Sequence, residues 1–598
     1  MTASSRTKSL LDYLQGRIAS ESQGIFECTE LVEELVDDGR LLEARSIFQE
    51  FGCNDCPDLR ATVLLISSLL AVETGEVDEA ARLASISRQS FQTKGDRDGE
   101  ARVLLSCVKF HRQIEDYSQA SKLLRDFEAT MPSKLGADLS FAYSFERGVL
   151  FASRGAHHAA FEALKKALRH ARATRRAKAQ ILAGAQLAIV SARKGDGIRA
   201  RSYLEDSDHL IDKGVVPSLR VDFLVAKGIA QRAFFDVVSA EENFLRATEV
   251  AQSKGFKARY SNALSELGSL LYRCGDLERA EAHLRKALEI ERELHRPLAQ
   301  GELLFRLSTL EKARGDLSAA LDSLGSARAI FTESFHPGGL SSCFFARAGI
   351  EHSNGKSSFA LELLEKGLSI RRESGDCLGA AQILGEEARV HRDRGELGRA
   401  LELFTHSLEI RREAGDRYGV AVVLNDMAMI YRYRGDYQQA LELYRESLET
   451  KESMGDRFGQ ALTLNEYALA LKDQGSFNEA FEAVEKGVEL ARAVNARLIL
   501  IKLRSNQAHL LGAFGEHDRA TELLETNLVE IRRLGCLLEE PKTLGAMAEI
   551  YRIRRNTEGA IETVKRCEEI ARERDDKRGL SFSLLQRAQL EADRENYF

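Results

Sequence analysis

Between Tyr418 and Gly455, apolar and small side chains return at Leu424, Met427, Ala428 and Tyr431, pause at Gly435-Asp436, and resume at Ala440, Leu441, Tyr444, Ser447 and Leu448. Spacings of three and four residues put each set on one face of a helix, so the segment predicts two amphipathic helices, A and B, joined by a tight turn. Glycine suits such a turn because helices commonly close on left-handed backbone. Asp436 follows it and is expected to accept from the free N–H groups that open helix B.

The same pattern recurs along the chain. Alanine stands at every fortieth position from Ala80 to Ala560, without one insertion. A fixed small residue at a fixed period marks a one-dimensional stack of identical units, each contacting its neighbours. The turn glycine returns at Gly75, Gly155, Gly195, Gly275, Gly315, Gly355, Gly395, Gly435, Gly475 and Gly515, and gives way to Glu115, Phe235, Arg555 and Glu595. A second small column, including Gly148, Gly228, Gly268, Ala388 and Ala428, runs through helix A and lets the two backbones approach. The joins between units carry Gly-Asp at 95, 375, 415 and 455, each with a further glycine at 99, 379, 419 or 459. Pro57, Pro217, Pro297 and Pro337 share another phase, at the entry of helix A, where proline's fixed φ fits. Residues 1–52 break the register and read as a leading helix and an irregular hairpin that cap the array, which then runs unbroken over 53–598. Phe598 falls three residues past the turn phase, so the last helix A lacks a helix B and would expose Leu584, Ala588 and Leu590. That helix is itself the cap, or the chain continues, or a partner covers it.

Composition narrows the function. A hydrophobic share of 44%, six prolines and no tryptophan fit a packed helical body. The formal charge of -7 supplies no global attraction for nucleic acid or anionic lipid. Nine irregularly spaced cysteines read as reduced thiols. No leader-like apolar run and no membrane-length segment stands out, which points to a cytoplasmic protein.

The stretch Leu424–Glu449, with its small residue, tyrosine, Gly-Asp-Tyr and alanine at fixed intervals, resembles the tetratricopeptide repeat. The forty-residue length is similar to the repeats of kinesin light chain, the Pins-type spindle adaptors and bacterial regulators of the maltose-activator kind. The resemblance implies an all-α fold, a right-handed α-solenoid of about 14 stacked hairpins. It also implies that helix A lines the concave face. On that face the phase of Arg432 reads Lys312, His352, Arg392, Arg432 and Lys472, and the phase of Asp426 reads Glu266, Arg306, Ala346, Glu386, Asp426, Glu466 and Asn506. Asn425 and Asn465 match asparagines that hold an extended peptide by its backbone in related arrays. The binding candidates are therefore Glu386, Arg392, Asn425, Asp426, Met429, Arg432, Tyr433, Asn465, Glu466 and Lys472, as a groove for a protein or peptide segment. The competing reading is a self-paired solvated surface, which contributes little.

A run of cations, Lys165, Lys166, Arg169, His170, Arg172, Arg175, Arg176 and Lys178, offers a site for an acidic partner or a nucleic acid backbone, or marks a solvated ridge at a helix C-terminus. Gly355-Lys356-Ser357 lacks the strand a phosphate loop requires and reads as the grid turn. Cys53 and Cys56 have no second pair to complete a metal site. No catalytic constellation emerges, so neither enzyme activity nor a cofactor nor a metal is expected. The leading function is an adaptor or scaffold. The alternatives are a regulator whose superhelical pitch responds to a peptide or small ligand, acting through a separate effector, and a phosphatase acting on a bound response regulator.

Overall fold

The computed structural model describes residues 60–130, 135–194, 196–211, 216–233, 236–534, 539–573 and 577–595. The cap expected over residues 1–52, the Cys53 and Cys56 pair, Pro57, Gly195 and Phe235 lie outside them. The described residues form 27 α-helices and no strand. They alternate as helix A and helix B: Arg417–Tyr433 and Tyr437–Met454 are one hairpin, and Arg457–Gln474 and Phe477–Ala493 are the next.

Packing inside the hairpin follows the two small columns. Ala400, Ala428, Ala440 and Ala480 are each 2% exposed or less. At Gly148, Gly228 and Gly268 an added methyl would run into Leu164, Phe244 and Leu284 of helix B. A larger residue there would force the two helices apart. The serine of the B pattern is also spoken for. Ser407 Oγ donates to the Ala381 carbonyl at 2.7 Å, and Ser447 Oγ to the Ala421 carbonyl at 2.8 Å, so a buried hydroxyl ties B to A in successive hairpins.

The turns close as expected, with Gly275, Gly315 and Gly435 at positive φ. Asp436, however, makes no cap bond to helix B; its exposed carboxylate gains little from one more neutral donor. Asp276 and Asp316 do cap, on Arg279 and Ala319 N–H. Pro217, Pro297 and Pro337 each open a helix A. In the last described helix, Lys577–Glu595, Leu584 is 44% exposed and Ala588 is exposed, but Leu590 is buried against Ala548, Ala560 and Val564. The expected exposure of Leu590 is thus corrected: it faces the preceding hairpin.

The Gly-Asp joins explain their own second glycine. Asp376 Oδ1 accepts from Gly379 N–H and Asp416 Oδ1 from Gly419 N–H, both at 2.9 Å, so the aspartate caps the next helix A. The second carboxylate oxygen receives the guanidinium of the residue five positions earlier, Arg371 or Arg411, at 2.6 Å. Any side chain on Gly379 or Gly419 would occupy the space of that ion pair. At the Gly455-Asp456 join Lys451 replaces the arginine. Its ammonium turns to Thr463 Oγ1, and Asp456 Oδ2 is left buried without a hydrogen bond. Burial pushes the lysine down to about 8, with Asp456 opposing. A base depressed in the fold favours the native state more as pH rises from about 8 towards the ordinary lysine range. Replacing Lys451 by Arg together with Thr463 by Val copies the neighbouring joins, where Val423 occupies the threonine's phase. This variant is expected to gain about 1–2 kcal/mol at neutral pH. It should also lose that alkaline gain, as thermal melts between pH 7 and 10 would read.

The array coils so tightly that successive superhelical turns touch. Arg296 Nε donates to Glu73 at 3.0 Å and Arg417 Nη1 to the Lys194 carbonyl at 3.3 Å, both across 223 residues, or about five and a half repeats. Along the same seam Ser118 N–H donates to the Ser374 carbonyl at 2.8 Å. Gly75 sits against Pro297, Gly155 against Leu378 and Gly275 against Leu498. Leu277 shares a buried cluster with Ile501, Ile531 and Leu534. The turns inside the hairpins of one coil thus dock on the joins of the next. Helices A face inward, since residues from six of them border one central cavity.

Candidate functional site

All ten candidate residues fall on three consecutive inward helices, Cys377–Asp393, Arg417–Tyr433 and Arg457–Gln474. Their charges meet sideways, between repeats. Arg389 donates to Glu386 at 2.9 Å on its own helix and to Asp426 at 2.7 Å on the next, and those carboxylates hold its guanidinium far above the usual range, Asp426 first. Arg392 lies 3.9 Å from Asp426 and donates to Asp393 and to Met429 Sδ. The same lateral pairing runs through Arg232, Glu266 and Arg306, and His352 meets Asp393 at 2.9 Å. Sequence reasoning omitted Arg389, although its spacing of three from Glu386 and 37 from Asp426 is the signal that finds it.

Asn465 is 4% exposed; its amide donates to Glu466 and accepts from Asn506, so it belongs to the wall. Lys472 is partly buried near His509 and Glu549. Two residues differ from their neighbours. Arg432 is 10% exposed, and its guanidinium lies 3.9 Å from Glu466 and 3.7 Å from Asp473, too far for hydrogen bonds. Its Nε and Nη1, like Asn425 Oδ1, are buried with no hydrogen-bond partner. Tyr433, 53% exposed, lies under that guanidinium, whose carbon is 5.3 Å from the ring centre. The hydroxyl of buried Tyr444 is unpartnered as well; burial raises its pKa, with Glu466 adding to the shift.

Buried polar atoms are nearly always bonded, and each orphan costs about 1–3 kcal/mol. Two donors and one acceptor on one face of a helix, about two turns apart, can serve a carboxylate and, further along, a backbone amide. Among the described residues no cluster of three or more His, Cys, Asp or Glu is placed to hold a metal ion. No described helix is long and apolar enough to cross a membrane. The cation run lies on helix His157–Ala173, the join after it and the first turn of helix Ala177–Arg193. There Lys165, Lys166 and Arg169 are exposed, while Arg172 and Arg176 pair with Asp206 and Asp138.

A family model described as tetratricopeptide repeat matches residues 259–333 and 379–453, about a quarter of the chain. A second, described as anaphase-promoting complex subunit 5, matches 106–186, 428–514 and 547–594, about a third. No curated protein sequence matches. Among solved structures, a Rap protein complexed with competence and sporulation factor is 16% identical and covers 66% of this chain and 98% of its own, with a TM-score of 0.44. Aspartyl phosphate phosphatase F from Bacillus subtilis is 14% identical over 59% and 94%, with a TM-score of 0.39. BtubC from P. vanneervenii is 22% identical over 37% and 92%, with a TM-score of 0.31. The hairpin matched by the repeat model continues at the same period on both sides of the matched segments, and the chain is a tetratricopeptide-repeat protein.

Proposed function

We propose that this scaffold is an adaptor that holds an extended segment of a partner protein against the inward helices between Cys377 and Gln474. Arrays of this kind serve protein interaction, and the observation that supports this location is the unsatisfied pair Arg432 and Asn425 in a wall where Arg389, Arg392, Glu386 and Asp426 already have partners. Arg432 would take a carboxylate of the partner and Asn425 an amide N–H, with Tyr433 flanking. Each charge-assisted bond is worth about 1.5–3 kcal/mol.

Alanine at both Asn425 and Arg432 is therefore expected to weaken partner capture by the full chain at least about tenfold. Alanine at exposed Arg372, on an outer helix, should leave it unchanged. Equal capture by all three proteins removes the assignment. A pitch-controlled regulator is the second reading, and the seam supports it, because contacts 223 residues apart hold the coil shut. A scattering profile that no bound ligand alters would count against it.

A further inference from the structure

The inner face of the first superhelical coil borders a half-open cavity of about 580 Å³, a size that holds small organic ligands. It lies apart from the groove discussed above. Helix Pro297–Arg314 closes it against Arg60–Glu73 and Arg97–Gln113, so its wall is complete only while the seam is shut. Much of its charge is already used. Arg259 grips Asp222 through two bonds, and Arg296 bridges Glu73 and Glu291.

Four polar residues that line it are not used in this way. Lys109, Gln113, Asn262 and Glu302 form no hydrogen bond or ion pair with any described residue. Gln113, Asn262 and Glu302 are open to solvent. Lys109 and Glu302 belong to different coils and do not meet one another. Leu69, Phe110 and Leu298 supply apolar wall. Confinement raises the Glu302 carboxyl pKa, with Arg306 opposing, so a positive charge placed there would be welcome.

We propose that this cavity binds a small zwitterion with an apolar body, a free amino acid or a short peptide with unblocked termini. Its carboxylate sits on Lys109, its ammonium on Glu302 and its apolar part against Leu69, Phe110 and Leu298, and the amides of a peptide ligand also meet Gln113 and Asn262. The ligand touches two coils at once and so stabilises the closed pitch by mass action.

Calorimetry on the full chain with leucine and with trileucine tests this, and the stronger binder identifies the source. Lys109→Met is expected to weaken the unblocked probe about tenfold or more and to erase the penalty for amidating its carboxyl end. Glu302→Gln should do the same for acetylating its amino end. Bound probe should slow amide exchange at Ser118 and Gly338, on the seam. The N425A/R432A variant should bind as the parent does; loss of binding there places the ligand in the groove and overturns the proposal. It is equally overturned if neither probe binds at millimolar concentration, or if blocked and free probes behave alike in parent and variants.

Discussion

Replacing Arg371 by methionine is expected to open the seam between superhelical coils and to cost about 3–5 kcal/mol, because it strands the buried Asp376 carboxylate with the half-exposed Glu115 carboxylate beside it. Arg371 is 8% exposed and donates in three directions. Nη1 reaches Glu115 of the preceding coil and Asp376 of its own join. Nη2 reaches the Gly338 carbonyl at 3.0 Å and Ser342 Oγ at 2.7 Å, and Nε reaches Ser341 Oγ at 3.2 Å. Burial works against its charge, but Glu115 and Asp376 hold its pKa above the ordinary value, so the cation persists at any physiological pH. Without it, Asp376 keeps only its cap bond, and its carboxyl, already raised by burial, loses the charge that opposes the rise.

The variant should show a larger maximum dimension in solution scattering and faster amide exchange at Ser118 and Gly338, whose N–H groups bond across the seam. Arg371→Lys retains the charge but not the fork, and should fall between. Glu115→Gly should cost less, because it removes one partner yet relieves a non-glycine residue at φ 59. An unchanged scattering profile and melting curve for Arg371→Met would show that the apolar docking of Leu277 on Ile501 and Leu534 holds the coil alone.

Glu115 also shows where the sequence was legible and where it was not. Its departure from the turn glycine was visible in the register, but its reason, an arginine 256 residues away, was not. Local pattern encodes a hairpin, and the period encodes a stack. The pitch depends on small rotations summed over five or six repeats, which no single repeat reveals. The same limit applies to the site. The columns located the inward face, so Arg392, Asp426 and Arg432 were found together. Which charges cancel depends on the stagger between neighbouring helices, so Arg389 went unnoticed, and Asn465 looked available although Asn506 holds it. Asn425 and Asn465 occupy one phase in adjacent repeats. Only the contents of the next repeat separate the satisfied amide from the unsatisfied one.

Two glycines of a single repeat should lose stability unequally, and for different reasons, on the same added methyl. Gly435 stands at φ 80 with no heavy atom near the methyl position, so alanine there faces only the left-handed backbone penalty of about 1–2 kcal/mol. Gly419 is within helix Arg417–Tyr433, where alanine is intrinsically the better residue by about 1 kcal/mol. Yet Gly419→Ala is expected to be the worse change, by about 3 kcal/mol or more, since its methyl overlaps Arg411 Nη1 and Asp416 Oδ2 and must break the partly buried pair or the cap. The damage would travel. Arg411 Nε also reaches Ser407 Oγ, which holds the Ala381 carbonyl, so the join, helix B and helix A of one hairpin loosen together. Repeat arrays unfold in parts, so a single melting temperature averages over the effect. Amide exchange across residues 377–433 resolves it. Faster exchange there in Gly419→Ala, with Gly435→Ala perturbed only around its own turn, is the expected pattern. The reverse order would mean that backbone conformation, and not the Asp-Arg clasp, dictates glycine at the joins.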